Sequence, residues 1–194
     1  DAGRVLVFGQ DITELAEDAL VDVRKALSMG FQSAALFDSS SVYENVAYPL
    51  REHRAWSERQ IAERVAVCLE AVGLPNSGAL LPSELSGGMR KRVGVARAIA
   101  LEPRVILYDE PTTGLDPANQ KRIGELIVGL QRRLHITSVV VTHELASVYA
   151  IADRVIMLDP RIKGIVAMGT PTELRRHSDP RVQRFFRREA EVPA

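Results

Sequence analysis

The chain has 194 residues, 46% of them apolar, and its 25 Lys plus Arg balance its 25 Asp plus Glu. That length can bury one sizeable core, so one globular domain is the expectation, and the balanced charge excludes a whole-molecule field that would gather nucleic acid or anionic lipid. The single cysteine, Cys68, excludes an internal disulfide and reads as an inert packing thiol, and no stretch reaches the roughly 20 apolar residues of a membrane-spanning helix.

In chain order, Asp1 is followed almost at once by the apolar run Val5 to Phe8, with neither a methionine nor a signal-peptide pattern, so the opening reads as cut. Arg4 to Phe8 predicts a first strand, and a short strand-like stretch leads into Gln32. From Ser57 to Arg97 the pattern is helical, with Val67, Leu69 and Val72 in one segment and Val93, Val95 and Ile99 in another. Val105 to Tyr108 predicts a strand, and Pro117 starts a helix carrying Ile123, Leu126, Ile127, Leu130 and Leu134. Ser138 to Val141, Val155 to Leu158 and Ile165 to Met168 read as further strands, with a short helix at Leu145 to Ala152. The alternation predicts a parallel sheet covered on both faces, with a helical subdomain set into it. The basic stretch Arg175 to Arg188 reads as solvated helix, and Phe185 and Phe186 within it are poor grounds for nucleic-acid stacking in a neutral chain.

Chemistry concentrates in a few places. In "VILYDEPTTGLDP" a parallel strand ends in Asp109 and Glu110, at the sheet edge where open α/β folds bind ligands. Asp109 can hold Mg²⁺ and Glu110 can orient or deprotonate a water, although a lone Asp-Glu pair can equally cap the turn before Pro111. In "LSGGMRKR", Ser86 can cap a helix while Gly87 and Gly88 let backbone N–H groups approach an anion, which makes a phosphate seat or an ordinary helix start. Arg90, Lys91 and Arg92 read as a solvated face. His143 ends the strand of "SVVVTHE". Taken together, Gln32, Ser86 to Gly88, Asp109, Glu110, Asp116 and His143 supply the parts of phosphoryl transfer to water.

These motifs resemble, in order, the Q-loop, signature, Walker B, D-loop and H-loop of ATP-binding-cassette (ABC) ATPases. The resemblance implies a partial P-loop NTPase, RecA-like α/β domain, with 1–32 and 98–194 as the core portion and 33–97 as the Q-loop exit and helical subdomain. It implies Asp109 and Gln32 on Mg²⁺, Glu110 as the base, His143 on the γ-phosphate of ATP, and Gln32 coupling the metal site to the helices. Ser86, Gly87, Gly88 and Asp116 would act in trans on nucleotide held by a second copy, in a head-to-tail dimer. The stretch "FQSAALFDSSSVYENVAYPLREH" and Met89 are similar to the Mla or toluene-tolerance type of bacterial lipid-trafficking ATPase. That likeness implies an integral membrane permease received by the helical subdomain, with Phe37, Tyr43 and Tyr48 as groove residues or plain core. It also brings in a small regulatory subunit and a periplasmic lipid-binding protein, and a peripheral place on the cytoplasmic side of the inner membrane. A transporter for another solute, and a non-transport or catalytically dead cassette acting as a dimerisation module, are the alternatives.

One departure stands out. No G-x-x-x-x-G-K-[ST] occurs in the chain, and "GLPNSGAL" fails as a substitute because Ala79 and Leu80 stand where lysine and a hydroxyl are needed. The resemblance puts that loop, and a strand bordering the Walker B strand, ahead of Asp1. It follows that these residues alone should turn over no ATP and should aggregate through open apolar edges.

Overall fold

The structure, a computed structural model, describes residues 3–187; Asp1 and Arg188 lie outside them. Three parallel strands form its centre: β3 (Leu27–Gly30), β4 (Val105–Asp109) and β5 (Thr137–Val141), in the order β3-β4-β5. They are preceded by the strands β1 (Leu6–Val7) and β2 (Gln10–Asp11) and the helix α1 (Val21–Ala26). Between β3 and β4 run α2 (Val42–His53), α3 (Glu58–Ala71) and α4 (Gly87–Ile99), and α5 (Pro117–Leu134) joins β4 to β5. After β5 come α6 (Leu145–Ile151), β6 (Val155–Asp159), β7 (Gly164–Gly169), α7 (Pro171–Arg175) and α8 (Pro180–Arg187).

The helices form where side chains and caps agree. Ser57 and Gln60 close a capping box at the start of α3, and Ile61, Val65, Cys68 and Leu69 then fall on one buried face. Burial raises the Cys68 thiol to a pKa of about 11, which keeps it protonated and inert. Asp116 caps α5 ahead of Pro117, and Ile123, Ile127 and Leu130 line its inner face at 1% exposure or less. Helix α2 lies outside the span whose periodicity marks helix, because Pro49 sits in its interior and reads as a breaker. It forms because Val42, Val46, Ala47 and Leu50 are wholly buried and Asn45, equally buried, stitches the preceding loop to it. The Asn45 amide donates to the carbonyls of Phe37, Ser40 and Ser41 and accepts from the Phe37 N–H at 2.8 Å.

Four sequence expectations are corrected. Arg4 to Phe8 is no core strand: only Leu6–Val7 pairs, antiparallel with Gln10–Asp11, and Val5, Leu6 and Phe8 are 45–60% exposed. Among the described residues the sheet is covered on one face only. Rows Ser28, Ile106, Ser138 and Gly30, Tyr108, Val140 turn toward the helices, whereas Met29, Val139 and Val141 on the opposite face are exposed. Strands β6 and β7 pair with each other as an antiparallel hairpin instead of extending the parallel sheet. Finally, both edges of β4 are filled, by β3 and β5, so no further strand can border it.

The C-terminal stretch is more than solvated helix. Leu174 of α7 and Val182 of α8 are buried with Ala167 in a small second core, and Phe186 joins it while lying edge-to-face with Tyr149 at 6.0 Å. Phe186 therefore serves packing.

Candidate active site

Strand β4 delivers Asp109 and Glu110 to its carboxyl edge, and the neighbouring β5 ends at Val141, so Thr142, His143 and Glu144 emerge beside them. Glu110 has φ 45°, a left-handed conformation costing a β-carbon-bearing residue about 1 kcal/mol or more. Two backbone bonds hold it there: its N–H donates to Val141 O at 2.9 Å, and its carbonyl accepts from Lys91 Nζ of α4 at 3.1 Å. The reversed turn swings the side chain onto the β5 exit. His143 Nδ1 lies 2.6 Å from Glu110 Oε1, and Thr113 and Thr142 donate to Oε2 at 3.0 and 3.2 Å.

Charge follows from that geometry. Burial works to raise the Glu110 carboxyl, but the bonds from His143, Thr113 and Thr142, with the imidazolium charge, outweigh it and hold the pKa below the ordinary value. The bond to Glu110 and then its charge raise His143 above an ordinary imidazole. Glu110 is mostly covered, while the His143 side chain is 70% exposed and faces outward.

A second layer locks the His143 segment. The Thr142 hydroxyl accepts from Glu144 N–H, and the Glu144 carboxylate accepts from Thr112 at 2.5 Å, from Ser147 and from Gln120. Thr112 and Ser147 are buried, so this network ties the turn after Glu110 to α5 and α6. Sequence reading passed over these residues and took Lys91 for part of a solvated face. The legible signal was a run of hydroxyls flanking each carboxylate or histidine motif, at Thr112, Thr113 and Thr142.

Ser86 caps α4 by accepting from Met89 N–H at 3.3 Å, and no acidic residue stands in the first turn to repel an anion. Gly87 and Gly88 face the segment after β4. A Cβ on Gly88 would come within 3.2 Å of Asn119 Oδ1, and Asn119 is the residue whose N–H Asp116 caps at 3.0 Å. The glycines thus allow the start of α4 to lie against the start of α5. Asp116 accepts from the Asn119 backbone and side chain, which lowers its pKa.

Asp109 closes β4, and its carboxylate accepts no hydrogen bond among the described residues, which leaves it free for a cation. No cluster of three His, Cys, Asp or Glu side chains occurs among those residues, so a metal here would complete its shell with substrate oxygens and water. Gln32 lies two residues past Gly30, at the same carboxyl edge, exposed and without a hydrogen bond to Glu110 or His143. The basic trio is not a solvated face. Lys91 reaches Glu110, Arg92 donates to the carbonyls of Val72 and Gly73, and Arg90 to that of Pro82.

A carboxylate paired with a histidine at a parallel-sheet edge, beside a glycine-led helix start, has parts that phosphoryl transfer can use. Residues 1–113 match the family described as ABC transporter. The chain belongs to that family. This ABC chain is 45% identical, over its whole length and 72% of the relative's, to the intermembrane phospholipid transport system ATP-binding protein MlaF of Haemophilus influenzae. Its fold matches CbiO1 of Clostridium perfringens, part of the ABC transporter complex CbiONQ, with a TM-score of 0.82 and 29% identity over 91% of this chain and 69% of that one. It also matches the ATP-binding cassette MJ0796, solved as a dimer in a post-hydrolysis state with ADP and Pi, with a TM-score of 0.77 and 29% identity over 88% and 74%. The chain is thus of a family whose members act on ATP, and no helix among the described residues is long and apolar enough to cross a membrane.

Proposed function

We propose that this chain is the ATP-hydrolysing subunit of a bacterial transporter that moves phospholipid between inner and outer membrane, seated on the cytoplasmic face of the inner membrane. The observation that carries the catalytic part is the Glu110–His143 pair at the end of β4, beside the capped start of α4. The cargo rests on 45% identity across the entire chain to a phospholipid transport subunit, and that similarity favours lipid over another solute or a dead module.

In this reading Glu110 orients and deprotonates the attacking water, and its lowered pKa keeps it in the basic form. His143 sits on the more exposed side of the pair and turns its imidazole to the γ-phosphate. Asp109, with Gln32 at the same edge, would hold Mg²⁺, which would supply charge neutralisation on the phosphate oxygens. Ser86, Gly87, Gly88 and Asp116 serve the nucleotide of a second copy across a head-to-tail dimer, a reading supported by the dimeric state of the MJ0796 cassette. Residues 33–97 serve as the helical subdomain and, among the described residues, 3–32 with 98–187 as the core portion. The exposed edge-to-face pair of Phe37 and Tyr48, ring centroids 5.0 Å apart, is the part of the helical surface that meets a permease, while Tyr43 packs on the core. A small regulatory subunit and a periplasmic lipid-binding protein complete the assembly.

The test is Glu110→Gln in the complete gene product. ATP binding persists, the closed dimer accumulates on a sizing column, and hydrolysis falls by about 10² or more. Hydrolysis at the parent rate would remove Glu110 from the role of base.

A further inference from the structure

Helix α4 carries two contacts within one and a half turns. Its start, Ser86 to Gly88, is the turn assigned above to the nucleotide of the partner copy. Five residues on, roughly 7 Å along the axis, Lys91 Nζ donates to the backbone carbonyl of this copy's own Glu110 at 3.1 Å.

The receiving peptide is one that a single bond can steer. Glu110 has a left-handed φ, held from one side by Val141 O and from the other by Lys91, and its backbone angle decides where its carboxylate lies. The Lys91 stem crosses a cleft lined by Gly30, Gly94, Tyr108 and Pro111, and there Gly30 lacks a Cβ because the Tyr108 ring would lie 3.0 Å from it. The ammonium is thus partly withdrawn from water. Burial lowers its pKa against the opposing pull of Glu144 and Glu110, while the bond to the Glu110 carbonyl is what fixes its ammonium in this corner.

We propose that Lys91 is a positioning residue that passes engagement of the Ser86–Gly88 turn by the partner's nucleotide to this copy's Glu110, coupling the two sites of the dimer. A small shift of α4 as its start closes on phosphate moves Lys91, and with it the Glu110 peptide. The inference rests on the active-site reading above and adds the route by which one site senses the other.

The experiment compares Lys91→Met, Lys91→Arg, Ser86→Ala and the Ser86→Ala/Lys91→Met double variant of the complete gene product as the assembled dimer, measuring kcat, KM for ATP and thermal midpoint. Methionine keeps the stem and removes the donor. Expected is a kcat lowered about tenfold for Lys91→Met, about 1.4 kcal/mol, with KM for ATP nearly unchanged. Lys91→Arg recovers most of the rate. The losses from Ser86→Ala and Lys91→Met do not multiply in the double variant, since both interrupt one route. Parental kcat in Lys91→Met, losses that multiply, or a Lys91→Arg as slow as Lys91→Met would each overturn the proposal. Glu110→Gln separates the two readings. An active Glu110→Gln sinks the active-site assignment, whereas an inactive one beside multiplying losses sinks only the coupling.

Discussion

At the scale of single residues, the site is a set of hydrogen bonds converging on one carboxylate. Glu110 accepts from three side chains, so the Glu110–His143 pair has a definite pH signature. His143 binds its proton more tightly folded than unfolded. Its contribution to stability is therefore full below the ordinary imidazole pKa and fades as pH climbs through the raised one. Glu110 binds its proton less tightly folded than unfolded, so its contribution is present above the ordinary carboxyl pKa and is lost as pH falls through the lowered one. The pair is complete between those limits, and the exposure of His143 screens its size. An NMR titration should find His143 above an ordinary imidazole, and in Glu110→Gln it should fall back toward that value. A His143 that titrates identically in both proteins would show that the pair does not form in solution.

Among elements, α4 bears more of the architecture than its motif reveals. Arg97, near its end, donates to the carbonyls of Ala34 and Ala35 at 2.7 and 2.8 Å, and both alanines hold left-handed φ values of 63° and 46°. Gly94 faces the same loop, where a Cβ would meet Ala34 Cβ at 3.0 Å. Arg97→Leu should release the loop that follows Gln32, visible as faster amide exchange over residues 33–37 with the α4 amides little changed. Helix α2 offers the stability counterpart. Asn45→Ala strands buried donors and acceptors of the Phe37 to Ser41 loop, and chemical denaturation should record a loss of about 1–3 kcal/mol. Unchanged stability would mean that water replaces the amide.

On the scale of the whole molecule, the balance between covered and open surface decides behaviour. One core runs from α2, α3 and α4 through Ile106 and Tyr108 of β4 to α5. Met29, Val139 and Val141 of the sheet and Ile156, Leu158, Ile165 and Met168 of the β6–β7 hairpin are left open among the described residues, each at 41% exposure or more. So much open β-surface invites association. The 194 residues expressed alone should self-associate in light scattering and release no phosphate from ATP above background. A monodisperse preparation that hydrolyses ATP would contradict both expectations.

The strand ends, the capped start of α4 and the long α5 are legible in sequence because local signals carry them: apolar runs, a Ser before two glycines, Asp-Pro before a period of 3.6. The place of the candidate site residues at adjacent strand ends was legible for the same reason, since Asp109, Glu110 and His143 each sit at the end of an apolar run. What surrounds them was not. The placement of β6 and β7, the uncovered face of the sheet, the helix through Pro49 and the reach of Lys91 to Glu110 all depend on contacts between segments distant in the chain. A lysine on a helix looks the same in sequence whether it meets water or a carbonyl 19 residues away. Only packing, which sets how far α4 lies from β4, makes the difference.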